Sequence, residues 1–304
     1  MSEILRELLD RQDESVPFCH VAINLSSSSR YRKACPVVSP NGSAGTSAAI
    51  RNATARSARD VSRSKQTLWQ DARLIDIIEE TPDAVTLRMR LEDSANFLPG
   101  QYYNVRLSVP GRTGPIQRAY SVASSPVPAT SVIDIGVREV PGGLISPQLV
   151  RGLRIGDRIE VRGPVGRFTW TSDDGGPVLL VGAGSGVVPL MSMIRYAAAA
   201  DLNIPIRLVC SSSSFDNAFY GRDLADLTEQ HSWLGVVHTL TRDSSDARAT
   251  HHRRIDRRMI VEVVAGQFPR RAYICGPPTM VEDVQGWLDE LGVDPASVRV
   301  EKYD

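Results

Sequence analysis

The sequence is short of cysteine, of long apolar runs and of net charge, and each shortage removes a class of function. Its four cysteines, Cys19, Cys35, Cys210 and Cys275, stand far apart in a chain of 304 residues. Zinc sites and iron–sulfur clusters need ligands at short spacing, so no metal site is expected on this chain. No apolar stretch approaches the roughly 20 residues that cross a bilayer, and the run Val178–Val181 stops at Gly182. The 35 basic side chains balance the 35 acidic ones to a formal net charge of zero. That balance argues against a polyanionic partner such as nucleic acid, and any charged docking surface must be local.

Acidic residues are scarce in one segment. From Ser26 to Lys65 only Asp60 is acidic, among serine, alanine and arginine. Such a composition cannot bury enough apolar surface to offset its ordering entropy, so residues 1–65 are expected to be a disordered or low-complexity extension. An organellar transit peptide shares this composition, but the acidic residues Glu3, Glu7, Asp10, Asp13 and Glu14 argue against one, and the expected location is cytoplasmic.

What remains is long enough for two domains. From Leu68 onward short alternating runs appear, as in Arg73–Ile78, Val85–Arg90 and Tyr103–Leu107, separated by Pro, Gly and Asp turns. This pattern predicts an antiparallel β-barrel or sandwich over 66–173. After Pro177 the grain changes to apolar strands, at Val178–Val181, Ile206–Cys210, Gly235–Leu240 and Arg271–Cys275, alternating with helical runs at Val188–Ala200, Ala218–Gln230 and Met280–Leu291. Residues 174–304 therefore read as a parallel-sheet α/β domain.

The segment Val181-Gly182-Ala183-Gly184-Ser185-Gly186-Val187-Val188-Pro189 sets three glycines between an apolar strand and a helix start. Backbone without Cβ lets a phosphate approach, and the free N–H groups at a helix N-terminus favour its charge. The spacing G-x-G-x-G-x-x-P departs from the usual dinucleotide fingerprint, and a tight structural turn is the competing reading. A second motif, Cys275-Gly276-Pro277-Pro278, again follows a strand and opens a helix.

Together with these two, the barrel motifs resemble the ferredoxin–NADP⁺ reductase superfamily from about residue 70 onward. Arg118-Ala119-Tyr120-Ser121 is similar to that family's R-x-Y-S element, which implies that the arginine pairs with a flavin phosphate and the tyrosine packs on the isoalloxazine ring. Val137-Arg138-Glu139 precedes Gly142-Gly143-Leu144-Ile145-Ser146, similar to the family's pyrophosphate-binding G-G-x-x-S segment. Gly156-Asp157 and Gly163–Phe168 read as turn residues before ligand contacts. The resemblance implies that Cys275 lies beside the nicotinamide C4 and orients the hydride donor, that Tyr303 covers the flavin, and that Glu301 serves a proton path or a partner contact. Cys210 reads as plain core.

The family's S-x-R-[ST] segment corresponds to Ser211-Ser212-Ser213-Ser214, with Ser213 where the arginine would stand. Thr241-Arg242 resembles the pair that holds a 2′-phosphate, and Arg254 follows, which favours NADPH over NADH. His251-His252-Arg253-Arg254 reads as a solvated basic loop. The implied activity is a flavin-dependent NAD(P)H oxidoreductase that holds FAD, rather than FMN, and passes electrons to a separate acceptor, a ferredoxin-like iron–sulfur protein. The competing readings are a reductase of free flavin or quinone and a non-catalytic electron-transfer subunit.

Overall fold

The computed structural model describes residues 68–109 and 111–303; the extension over 1–65 lies outside the described residues. Six strands form an antiparallel sheet: β1 (Gln70–Thr81), β2 (Ala84–Leu91), β3 (Tyr102–Leu107), β4 (Ile116–Ser121), β5 (Val132–Arg138) and β6 (Arg158–Val165). Their order is β4-β3-β6-β1-β2-β5. The two outer strands meet through a bridge between Val122 and Ile135, and the Ala123 N–H donates to the Asp134 carbonyl at 2.7 Å, so the sheet closes on itself. Period-two alternation explains the closure: Leu87 and Met89 of β2, Ile133, Ile135 and Val137 of β5, and Ile159 and Val161 of β6 turn into a common core. Each such side chain contributes about 2 kcal/mol when fully buried.

The chain then builds a parallel sheet: β7 (Val178–Ala183), α1 (Val187–Ala199), β8 (Ile206–Ser212), α2 (Gly221–Gln230), β9 (Leu234–Leu240), α3 (Arg257–Gly266), β10 (Arg271–Gly276), α4 (Pro278–Glu290) and β11 (Val298–Lys302). The order is β11-β10-β7-β8-β9. Val178–Val181 is buried along its whole length, as a central strand covered on both faces must be. The connection from β6 is also structural: Phe168 and Trp170 join the core of this second sheet, and Tyr273 donates to the Thr169 carbonyl at 3.0 Å.

Three elements depart from the sequence expectation, and the fifth strand of this sheet, β11, is one addition. Helix α3 is another, and its β-branched run Ile260-Val261-Glu262-Val263-Val264 reads as a strand; what makes it helical is Asp256, whose carboxylate caps the Met259 N–H at 2.8 Å. Helix α2 begins at Gly221 rather than Ala218, because Phe215–Asn217 forms a 3₁₀ turn and Tyr220 adopts φ 58°. Among the described residues no helix is long and apolar enough to cross a membrane.

The two sheets share a packed seam. On α1, Ser192 donates to the Ser124 carbonyl at 2.7 Å and Arg195 to the Ala123 carbonyl at 3.1 Å. Gly136 of β5 is obligatory there, since a Cβ would lie 2.5 Å from Val188 and 2.8 Å from the Tyr220 hydroxyl.

Candidate flavin and nicotinamide-dinucleotide site

The chain leaves β7 to run through β8 and β9 on one side, then crosses to place β10 on the other. A cleft outside the carboxyl ends of the strands opens at such a reversal, and ligands of open α/β sheets bind there. The glycine loop and the Cys275-Gly276 turn meet at this point. A Cβ on Gly186 would stand 2.2 Å from the Cys275 carbonyl oxygen, so the third glycine is required by close backbone approach. Gly184 adopts φ 55°. Gly182, by contrast, faces Leu190 and Val187, and Pro189 is buried in α1; both serve packing.

Cys275 is buried, and burial together with the Glu301 carboxylate pushes its thiol well above the ordinary range. Glu301 is its register partner on the adjacent parallel strand, and burial raises that carboxyl too. Gly276 packs on the Met280 side chain, and Pro277 starts α4. The Tyr303 hydroxyl lies on the glycine loop, accepting from the Gly186 N–H at 3.0 Å and donating to the Ala183 carbonyl. An oxygen atom therefore occupies the loop's free N–H, as a phosphate oxygen would.

Sequence reasoning quoted Arg138 without giving it a role. The structure brings it from β5 to the same cleft, where it donates to the Asn217 carbonyl at 2.7 Å and lies 5.0 Å over the Phe219 ring. Its Nε is buried, 3.5 Å from Asp83, and has no hydrogen-bond partner. Its Nη1 lies nearer the glycine loop, 3.8 Å from where a Cβ on Gly184 would stand, and a guanidinium there suits an anionic cofactor. A barrel-strand arginine following a buried valine was the available signal.

On the barrel, Arg118 and Ala119 are exposed on edge strand β4, while Tyr120 and Ser121 are half-buried. Burial pushes the Tyr120 hydroxyl up to about 12, with Arg118 opposing. Val137 turns its side chain into the barrel core and pairs with Val85 of β2. Gly142 adopts φ 74° with open space where a Cβ would be. Gly143 touches the Ser146 Oγ, which accepts from the Val140 N–H at 3.0 Å and fixes this turn. Exposed cation, half-buried ring and open glycine turn are the donor set a flavin dinucleotide needs.

At the far end of the cleft the Thr241 N–H donates to the Ser212 carbonyl and the Arg242 N–H to the Ser213 carbonyl, both at 2.9 Å, which places the serine run and the Thr-Arg pair side by side. Cys210 is core, as expected, but has a partner: its Sγ lies 3.0 Å from His238 Nδ1. Burial, with Arg248 adding to it, lowers His238 to about 4, so its imidazole is neutral. In the basic loop His251 lies 3.8 Å from Glu262 and Arg253 pairs with Asp256.

This is the architecture of a flavin- and nicotinamide-dinucleotide-binding oxidoreductase. Residues 71–170 match the family profile of the oxidoreductase FAD-binding domain and residues 180–286 that of the oxidoreductase NAD-binding domain. The chain belongs to the ferredoxin–NADP⁺ reductase superfamily, and its cofactors are FAD and NAD(P)H. It is 27% identical over 254 residues, 80% of this chain and 73% of the relative, to a Ralstonia protein named ferredoxin–NAD(P)⁺ reductase component of naphthalene 1,2-dioxygenase/salicylate 5-hydroxylase systems. It is 29% identical over 86% of its length to the 2-halobenzoate 1,2-dioxygenase electron transfer component of Burkholderia cepacia, covering 74% of it. An Amycolatopsis cytochrome P450 reductase superposes with a TM-score of 0.67 at 27% identity, over 77% of this chain and 70% of that one. The FAD/NAD-binding domain of a Vibrio cholerae nitric oxide dioxygenase gives 0.69 at 21% identity, over 77% of this chain and 98% of that one, and shares the fold.

Proposed function

We propose that this protein is the reductase component of an oxygenase system, taking hydride from NADPH onto bound FAD and passing electrons to a separate ferredoxin-like iron–sulfur protein. The observation that carries the nicotinamide half is the contact of the glycine loop with Cys275, where Gly186 has no room for a Cβ. Relatives named as reductase or electron transfer components of dioxygenase systems support the separate acceptor.

Bound FAD supplies a two-electron acceptor that can release electrons singly. The protein supplies geometry and electrostatics. Arg118 pairs with a flavin phosphate, Tyr120 gives the ring an aromatic wall, and the Gly142–Ser146 turn offers backbone N–H groups to the pyrophosphate. The N–H groups of Gly184 and Gly186 and the guanidinium of Arg138 take the pyrophosphate of the nicotinamide nucleotide once Tyr303 leaves the loop. Cys275, its thiol held neutral, flanks the nicotinamide as an uncharged wall, with Glu301 on the neighbouring strand, its carboxyl raised by burial. Thr241 and Arg242 receive the 2′-phosphate that separates NADPH from NADH.

The test is anaerobic titration of the purified flavin-loaded chain with NADPH and with NADH while the flavin absorbance is followed, then addition of an oxidised ferredoxin. Bleaching by NADPH at a higher kcat/KM than by NADH, followed by reoxidation by the ferredoxin, is expected. A colourless protein that oxidises NAD(P)H only with added flavin would overturn the bound-cofactor reading.

A further inference from the structure

The nicotinamide cleft has a support on its barrel side that none of the nucleotide-facing motifs includes. Strand β1 is bulged near its end: Glu79 pairs with Val85 and Thr81 with Ala84, so Glu80 has no partner across the hairpin. A bulge re-aims the extra side chain, and this one carries a carboxylate. Glu80 Oε1 accepts from Thr86 Oγ1 at 2.7 Å, and Thr86 Oγ1 in turn lies 3.3 Å from the Tyr220 hydroxyl across the seam.

Tyr220 holds φ 58° and ψ 23°, a left-handed conformation that a residue with a bulky side chain keeps only where its surroundings impose it. Those surroundings are specific. The ring is buried, its hydroxyl lies 3.3 Å from Thr86 Oγ1, and the Arg195 guanidinium sits 5.0 Å over its face. Arg195 is itself ion-paired with Asp223 on α2. The residues just before this turn border the cleft: Asn217 receives Arg138, and Ala218 and Phe219 lie with Gly184 and Ser211 around one recess.

We infer that Glu80 is a positioning residue for the nicotinamide nucleotide: from the bulge in β1 it fixes the Thr86 hydroxyl, through it the Tyr220 ring and the left-handed turn, and so sets the Asn217–Phe219 wall of the cleft, without touching the nucleotide. This rests on the reading of the cleft as the NAD(P)H site. What the turn requires of Glu80 is an acceptor oxygen. Glutamine retains one and alanine does not, so the conservative variant separates positioning from charge.

The experiment compares the flavin-loaded full chain with Glu80→Ala, Glu80→Gln and Thr86→Val by calorimetric titration with NADP⁺ and NAD⁺, by amide hydrogen exchange over residues 215–221, and by thermal melting. Glu80→Ala is expected to weaken NADP⁺ binding about tenfold and to speed exchange at the turn, with flavin content unchanged. Glu80→Gln is expected to stay within about twofold of the parent, and Thr86→Val to weaken binding about as much as Glu80→Ala. Thr86→Val carries the test if the alanine variant does not fold. Parent-like binding and exchange in Glu80→Ala, even with a lowered Tm, would overturn the inference, as would a glutamine variant as weak as alanine. If the parent binds neither nucleotide, the reading of the cleft fails, while exchange at 215–221 still decides whether Glu80 holds the turn.

Discussion

Replacing Gly186 by alanine puts the proposed hydride-transfer geometry under direct stress. The new methyl would lie 2.2 Å from the Cys275 oxygen, 2.7 Å from its carbonyl carbon and 3.2 Å from the Gly276 nitrogen. All three are backbone atoms at the end of buried strand β10, so no side chain can rotate away. Relief requires the glycine loop and the Cys275 turn to separate by more than an ångström, which opens the cleft where the nicotinamide is proposed to lie. Overpacking of this kind costs about 2 kcal/mol of stability. A misplacement of that size slows a positioned reaction by roughly 10²-fold. The assay is stopped-flow reduction of bound flavin by NADPH, with Tm recorded alongside. Gly286→Ala is the control: it sits in α4 with nothing within 4 Å of the new methyl. Removing a helix-interior glycine there should raise stability by about 0.5–1 kcal/mol and leave the rate alone. A Gly186→Ala protein with parental Tm and parental reduction rate would refute the close-approach argument.

Further outcomes follow from other parts of the site. Removing the Tyr303 ring with alanine frees the Gly186 N–H and should tighten NADP⁺ binding about fivefold, the worth of about 1 kcal/mol; titration calorimetry showing no change would contradict the competition between tyrosine and phosphate. Arg242→Ala should raise the KM for NADPH about tenfold and leave NADH unaffected, since the guanidinium meets only the extra phosphate; equal losses for both would remove the 2′-phosphate role. Burial raises the Glu301 carboxyl above its ordinary value near 4.5, so folding favours its protonated form. The resulting destabilisation is absent below that ordinary value and complete once pH exceeds the raised one. Glu301→Gln should therefore raise Tm at neutral pH and match the parent near the acid end, as a melting series across pH would read; a constant difference at all pH values would refute it.

The barrel strands were legible because their surroundings are one-sided: Leu87 and Met89 face the core while Arg88 and Arg90 do not, and that contrast is written as alternation. The parallel strands were legible for the opposite reason, since Val178–Val181 is covered on both faces. Helix α3 was not legible, because Val261, Val263 and Val264 carry strand propensity and the deciding contact is a single cap from Asp256. Within the site, the loop glycines and Cys275 announce themselves by type and spacing. Arg138 and Glu80 do not, since an arginine or a glutamate in a barrel strand looks like surface until the second sheet packs against it. Tyr220 illustrates the same limit. Nothing local marks it for φ 58°; its ring contacts, Thr86 of the barrel and Arg195 of α1, lie far from it in the chain.

The seam along α1 bears on how the protein comes apart. Ser192 and Arg195 grip the carbonyls of Ser124 and Ala123, the stretch that also zips the barrel shut against Asp134 and Ile135. The barrel's own closure thus rests on a helix of the other sheet, and neither half can loosen without exposing the other's unfinished hydrogen bonds. Two layers of different architecture therefore melt as one cooperative unit. On the proposed reading, nucleotide entry then turns on the short tail that carries Tyr303 rather than on the seam between the halves.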